Sequence, residues 1–155
     1  MTSIELLDST FATLPDLVRA HAAERPDAVA AADPARRLSW SELDQMVDRI
    51  AARLQRDGLA KGHRTAIAGL NSVEQMAVIL GTLRAGGVAG LITNSATGEQ
   101  MAAMIADTGA RQLFLDSAAS ASLEGQTVTA SDRIAMDSSD VGVALDEWMA
   151  PAGTT

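Results

Sequence analysis

The side chains able to do acid–base or nucleophilic chemistry are few and scattered in this sequence. His21 lies in a polar helical stretch and His63 in a turn before an apolar run, with no second His at ligand spacing and no Cys anywhere. A metal centre or general base built on either lacks its partners, so both are read as surface residues. Serines are plentiful, yet no G-x-S-x-G elbow occurs to present one as a nucleophile. Ala85-Gly86-Gly87-Val88-Ala89-Gly90 has the shape of a dinucleotide fingerprint with Ala in place of its first Gly. That fingerprint works only between a strand end and a helix start, where helix N–H groups face a pyrophosphate. Here the glycines follow a helix and precede a strand, so their expected role is turning and packing. The terminal Ala152-Gly153-Thr154-Thr155 shares Gly-Thr-Thr with some nucleotide loops, but has no preceding strand, further Gly or Lys. It reads as part of a connector. No G-x-x-x-x-G-K-[ST] is present, and the reading assigns no catalytic, cofactor-binding or metal-binding residue to this chain.

The elements that would position a site are clearer than the site. Arg64–Leu70, Val88–Ile92 and Gln112–Leu115 are short apolar runs without alternation, as expected of strands covered by helices on both faces. Capped helical segments separate them. Ser39 with Glu42 forms a capping box, flanked by Leu38 and Leu43 at the staple positions, and Thr97 with Gln100 forms another. Leu43, Met46, Val47, Ile50, Ala51 and Leu54 recur every three or four residues, which predicts a surface helix with one buried stripe ending near Gly58. Val73, Met76, Ala77, Val78, Ile79, Leu80 and Leu83 surround most of the next helix, which predicts packing on several sides. Gly81 within it predicts the close approach of another backbone. Met46, Met76, Met101 and Met104 fall at core spacing. The third helix of this stretch stops at Gly109.

Upstream, Thr13 caps a helix over residues 14–25, and Ala28–Asp33 with Arg37–Ser39 predicts a hairpin across Asp33-Pro34. Thr127–Thr129 and Arg133–Met136 are expected to be short strands near the sheet edge. The fold class expected is therefore α/β, a layered parallel sheet with helices on both faces. Its organisation is a lead-in over residues 1–12, an α/β subdomain over 13–137 and a C-terminal linker over 138–155.

Composition narrows the function classes. Twelve basic residues stand among twenty acidic ones, a formal charge of −8, which disfavours a nucleic-acid partner. The absence of Cys removes disulfides and thiolate chemistry and fits a reducing compartment. No apolar stretch is long enough to span a bilayer, and MTSIELLDSTF lacks the pattern of a secretory signal, so the expectation is cytoplasmic. With two Phe and two Trp, the core must be built from Leu, Ile, Val, Met and Ala.

One resemblance goes beyond spacing. The Ser-Trp-Ser-Glu-Leu helix start at 39–43, Gly-Leu-Ala-Lys-Gly at 58–62, Asn71-Ser72, Leu83-Arg84-Ala85-Gly86-Gly87 and Asp107-Thr108-Gly109-Ala110-Arg111 fall in one order over residues 10–116. That order resembles the opening of the adenylate-forming (AMP-binding) ligases, particularly their acyl-CoA and aryl-CoA synthetases. The resemblance implies a parent enzyme that activates a carboxylic acid, fatty or aromatic, as acyl-AMP and passes it to coenzyme A, using ATP and Mg²⁺. It places the family's phosphate loop, its acidic residues for ribose and metal, and its mobile Lys beyond the region covered, so no catalytic residue carries over. His63 stands where the family usually has Asp, and Leu91–Thr97 departs from the Leu-Asn-Pro type segment toward a fatty-acid or feruloyl-type branch. Because the family's enzymes are much longer, the resemblance implies a fragment, inactive alone, whose partners are the remaining ligase polypeptide or further copies of itself. The alternative is a noncatalytic α/β protein-interaction module. A small Rossmann-type nucleotide-binding domain is disfavoured by the misplaced glycines.

Overall fold

The computed structural model describes residues 1–154; Thr155, the end of the Gly-Thr-Thr string, lies outside the described residues. At its centre are β3 (Arg64–Ala68), β4 (Val88–Ile92), β5 (Gln112–Leu115), β6 (Asp132–Ala135) and β7 (Val143–Ala144), after the small antiparallel hairpin β1 (Val29–Ala32) and β2 (Arg37–Ser39). The five central strands are parallel and lie in the order β4-β3-β5-β6-β7. The chain thus starts in the sheet at β3, steps to one side, then returns across β3 and runs outward the other way. Such a reversal leaves a crevice at the carboxyl ends of β3 and β5.

Helices cover both faces. On one, α3 (Trp40–Arg56) and α4 (Val73–Arg84) pack Val47, Ile50, Leu54, Ala77 and Val78 against Ile67, Phe114 and Ile134. On the other, α5 (Gly98–Thr108) and α6 (Ser117–Ser122) pack Met101, Ile105 and Ala119 against Ala66, Ala68, Leu113 and Leu115. Burying each large aliphatic or aromatic side chain stabilises the fold by about 1.5–3 kcal/mol. The expected caps form: Ser39 Oγ accepts from the Glu42 N–H at 3.2 Å, Glu42 Oε2 accepts from the Ser39 N–H at 2.8 Å, and Gly109 ends α5 at φ 63°.

Gly81 explains how tightly α3 and α4 cross. A Cβ there would sit 2.5 Å from Ile50 Cγ2 and 2.7 Å from Ile50 Cβ, so the neighbour is chiefly the Ile50 side chain, with the Val47 carbonyl 3.4 Å away. Behind it, the wholly buried Thr65 and Thr82 hydroxyls meet at 3.1 Å and join β3 to α4.

Several expectations need correcting. Residues 1–12 are not only a lead-in: α1 (Ser3–Leu7) forms with its own Thr2/Glu5 capping box, and Ser3 is tied to Glu24 by its N–H at 2.6 Å and its hydroxyl at 2.7 Å. The first long helix, α2, runs Leu14–Glu24, one residue short of the expected end. Strand β3 stops at Ala68 because the Leu70 N–H turns to the Asp116 carboxylate. Residues 127–129 form no strand; Val128 packs on the α5/α6 side instead of pairing. Ser117–Ser122, for which the sequence suggested no element, is the helix α6.

The stretch 138–155 does more than link. It supplies β7 and α7 (Leu145–Trp148) and buries Leu145, Trp148, Met149 and Ala150. Trp148 meets Phe114 edge-on at 5.2 Å, and two α3 arginines bind its backbone, Arg53 Nη1 to the Trp148 carbonyl at 2.7 Å and Arg49 Nε to the Ala150 carbonyl at 2.6 Å.

Candidate functional site

The crevice at the carboxyl ends of β3 and β5 is the first place to look for a ligand in a sheet of this order. A hollow of about 640 Å³ opens there, bounded by Leu70–Ser72 after β3, Asp116 and Ser117 after β5, Met136–Ser138 after β6, and the β1–β2 turn. What fills its floor is the protein's own carboxylate. Asp116, 9% exposed, accepts from the Leu70 N–H at 2.7 Å and from the Ala119 N–H at 2.8 Å, which caps α6 and holds the β3 exit loop. Gly69 permits this approach, since a Cβ there would lie 2.8 Å from Asp116 Oδ2. The Gly69 carbonyl is also taken, by Asn94 Nδ2 at 2.6 Å and Gln75 Nε2 at 3.1 Å.

The start of α4 is closed in the same way. Asp33, in the hairpin turn, accepts from the Val73 N–H at 2.9 Å and from the Ala35 and Arg36 N–H groups at 2.8 Å each. Those donors, Val73 first, hold its carboxyl below the usual aspartate range. Ser72 Oγ takes the Gln75 N–H at 3.0 Å. At the far rim, burial pushes the Asp137 carboxyl up, but hydrogen bonds from Ser139 and Ser117 outweigh it and leave it lowered.

Chemically, this arrangement suits structure better than phosphate binding. The helix starts that would meet a phosphate are occupied by carboxylates, and the hollow is bordered by Asp33, Glu74, Asp116, Asp137 and Asp146 against Arg36 alone. Arg36 is itself paired with Glu74 at 3.0 Å. A triphosphate would meet like charge at these two starts, where the Val73, Gln75, Ser117 and Ala119 N–H groups are already taken. The residues present at these helix starts therefore do not fit ATP. Among the described residues, no group of three or more His, Asp or Glu stands where it could hold a metal ion.

The other sequence candidates sit in structural roles. The Gly86–Gly87 turn has Gly86 at φ 87°, and a Cβ on Gly87 would lie 2.7 Å from Leu59 and 3.1 Å from the His63 carbonyl. Gly90 is pressed against the Thr65 carbonyl of β3. His21 lies 4.5 Å from the Trp40 ring and 3.2 Å from Arg25 Nη2; His63 Nδ1 accepts from the Ala60 N–H at 3.3 Å. None of these is brought near the crevice hollow. Thr154 Oγ1 donates to the Pro151 carbonyl at 2.7 Å.

Two positions carry more than the sequence reading credited. Asp116 appears in the sequence only as the residue closing an apolar run; the faint signal was an aspartate three residues before Ala119, at cap spacing. Arg84 is the other. It lies 2.7 Å from Asp44 Oδ1 and 2.8 Å from Asp48 Oδ1, and it donates to the Pro15 carbonyl at 2.9 Å and the Asp44 carbonyl at 3.1 Å, joining α2, α3 and α4. The approach to Asp44 Oδ1 is off the hydrogen-bond line and acts as a charge contact.

The fold is a parallel-sheet α/β unit shared with solved structures. The N-terminal domain of FACL13 from Mycobacterium tuberculosis superposes with a TM-score of 0.78 at 23% identity, over 94% of this chain and 38% of that one. A benzoate CoA ligase from Burkholderia xenovorans LB400 gives 0.77 at 21%, over 94% and 30%. Among curated proteins, surfactin synthase subunit 3 of Bacillus subtilis is 33% identical over 128 residues, which is 78% of this chain and 10% of that protein. The family model described as AMP-binding enzyme matches residues 18–152, and the chain belongs to that family. It spans 2%, 10% and 12% of the lengths of the first three curated relatives it matches.

Proposed function

We propose that this chain is the N-terminal part of an ATP-dependent acid–CoA ligase. In that reaction a carboxylate oxygen of a fatty or aromatic acid attacks the α-phosphorus of ATP and pyrophosphate leaves. The thiol of coenzyme A then attacks the acyl carbon and AMP leaves. The observation that carries the reading is the family match over residues 18–152 together with the shared fold of CoA ligases. In this reading the chain builds the sheet and helix layers against which the rest of the ligase folds, and alone it forms no adenylate. The acidic border of its crevice, with Asp116 and Asp33 set on the helix starts, supports that silence. The partners are the remaining ligase polypeptide and, for the isolated chain, further copies of itself. The absence of Cys supports a cytoplasmic setting, and no helix among the described residues is long and apolar enough to cross a membrane.

A second reading has one observation in its favour. The matches to surfactin synthase subunit 3, at 33% identity, and to a phosphinothricin tripeptide synthetase support a parent that belongs to a peptide synthetase.

A chimera tests what the two readings share. Residues 14–150 replace the matching segment of a benzoate CoA ligase, and benzoyl-CoA formation is followed; a shared scaffold expects activity to survive, and a folded chimera without it would refute both. Assay of the parent polypeptide with panels of carboxylic and amino acids separates them, the ligase reading expecting thioester on coenzyme A and the synthetase reading expecting ATP–pyrophosphate exchange without it. Titration of the isolated chain with ATP should give no specific heat; adenylate made by it alone would overturn its proposed silence.

A further inference from the structure

At the end of the sheet opposite the crevice, a second hollow of about 540 Å³ wraps the amino ends of β3 and β5. The turn after α3 walls it on one side and the end of α5 on the other, with Arg64, Arg111 and Gln112 along the strand starts. A space of that size accommodates a small metabolite. Leu59 is the one aliphatic side chain in its lining, so an apolar ligand would gain little there.

Gln112 marks the hollow as a site. It is only 3% exposed, yet its side-chain amide finds no hydrogen-bond partner among the described residues, and the opening it keeps is onto this hollow. The other four buried polar side chains are all paired: Thr65 with Thr82, Asp116 with the Leu70 and Ala119 N–H groups, and Ser3 with Glu24. Buried polar groups are satisfied as a rule, and an amide with donor and acceptor both unused is equipped to read a hydroxyl.

Charge gives the ligand its class. The chain carries −8, but residues 56–64 hold Arg56, Lys61 and Arg64 against Asp57 alone. Asp57 is already held by Arg53, whose Nε lies 2.9 Å from both carboxylate oxygens. Arg64 has no ion pair among the described residues, and Arg111 meets Asp132 at 2.8 Å in an exposed pair that exchanges readily. Helices α3 and α5 bring the negative ends of their dipoles here, but their last turns are closed, Leu59 N–H to the Leu54 carbonyl at 2.9 Å and Gly109 N–H to the Ala106 carbonyl at 3.0 Å. The uncompensated charge is therefore the guanidinium's. Two guanidinium forks offer more donors than the two oxygens of a carboxylate can take, whereas a phosphate monoester brings three oxygens and close to two charges.

The strands also set the ligand's size. Ala66 packs under α5 and α6, so Arg64 lies on that side of β3; Phe114 packs under α3 and α4, so Gln112 lies on the other side of the sheet. A ligand that touches both bridges the rim, which a bare phosphate would fill only in part. We propose that this hollow binds a small hydroxylated organic phosphate, its phosphate held by Arg64 and Arg111 and a hydroxyl of its body paired with the Gln112 amide. The site is separate from the crevice and independent of the ligase reading.

NMR titration of the intact chain with ribose phosphate, ribonate, ribose and inorganic phosphate at constant ionic strength tests this. Ribose phosphate should give saturable shifts at the Gly58, Gly109 and Arg111 amides and at the Gln112 side-chain amide. Inorganic phosphate and ribonate should bind at least tenfold more weakly, and ribose not at all. Arg64→Gln, at an exposed position, should keep the circular dichroism spectrum and weaken ribose phosphate at least tenfold, as should Gln112→Met; if the latter fails to fold, Arg64→Gln and the wild-type Gln112 shifts decide. No saturable binding, shifts confined to other residues, or an affinity that Arg64→Gln leaves unchanged overturns the site and assigns the Gln112 amide to water alone. Inorganic phosphate binding as tightly as the ester overturns the role of the organic body, and ribonate binding as tightly overturns the preference for phosphate.

Discussion

Gly81→Ala is the sharpest test of how the helical layer is packed. On propensity alone the change should stabilise α4, because Gly in a helix interior costs about 1 kcal/mol relative to Ala. The structure opposes that gain. The new methyl would overlap Ile50 Cγ2 at 2.5 Å and Ile50 Cβ at 2.7 Å, and the second of these is fixed to the α3 backbone. Ile50 is wholly buried between the helices and the sheet, so it has no solvent to turn into. Overpacking of a closed core typically costs about 1–3 kcal/mol, and overlap with an atom that no rotamer moves belongs at the upper end. The difference leaves Gly81→Ala destabilised by about 1–2 kcal/mol. Urea unfolding read by circular dichroism would show a lower midpoint with an unchanged slope. Ile50→Ala removes Cγ2, so the double variant should be more stable than the sum of its single changes predicts, with a coupling of about 0.5–3 kcal/mol. If Gly81→Ala is as stable as the wild type or more so, α3 and α4 do not meet through this contact and the packing argument fails.

Other perturbations test the crevice and the C-terminal segment. Asp116→Ala removes the acceptor for both the Leu70 and Ala119 N–H groups and should cost about 2–3 kcal/mol, as the loss of a cap together with a stranded donor; urea unfolding measures it, and a loss below about 0.5 kcal/mol would count against the role assigned. Asp33 has a depressed pKa from the Val73, Ala35 and Arg36 N–H groups, so the stability it contributes is complete above the ordinary aspartate value of 3.8 and is lost as pH falls through its lower folded value. Wild type and Asp33→Asn should therefore differ in urea midpoint near neutral pH and converge in that acid window; a constant gap down to pH 2 would contradict the assignment. Trp148→Ala should cost about 3–5 kcal/mol because the ring is buried against Phe114, whereas a mere linker would tolerate it within about 0.5 kcal/mol by the same unfolding measurement.

What was legible in the sequence had local causes. Strands β3 and β5 showed as unalternating apolar runs because both their faces are covered, and the starts of α3 and α5 were marked by cap boxes that close within four residues. The features missed depend on distant partners. The segment after Ser138 looks sparse until Arg49 and Arg53, about a hundred residues earlier, seize its carbonyls. Helix α6 is made of Ser and Ala alone, without an apolar period to announce it, and its start is set by Asp116. The run Val88–Ile92 reads the same whether central or at an edge; only the pairing order shows that one side of β4 is open.

The candidate site divides along the same line. Its negative reading depended on where glycines stand relative to helix and strand, which order along the chain already decides. Its positive content, the closure of the crevice by Asp116 and Asp33, required knowing that residues 46 and 40 positions apart meet. These two carboxylates occupy the helix starts at which a nucleotide-binding sheet would receive its phosphates. In the ligase proposed above, phosphate donors would come from other segments, and this unit would hold the crevice edge in place through Asp116 and Asp33. That division makes stability variants at Asp116 and Gly81 a test of the proposed ligase: they should lower the amount of folded protein while leaving turnover per folded molecule close to unchanged.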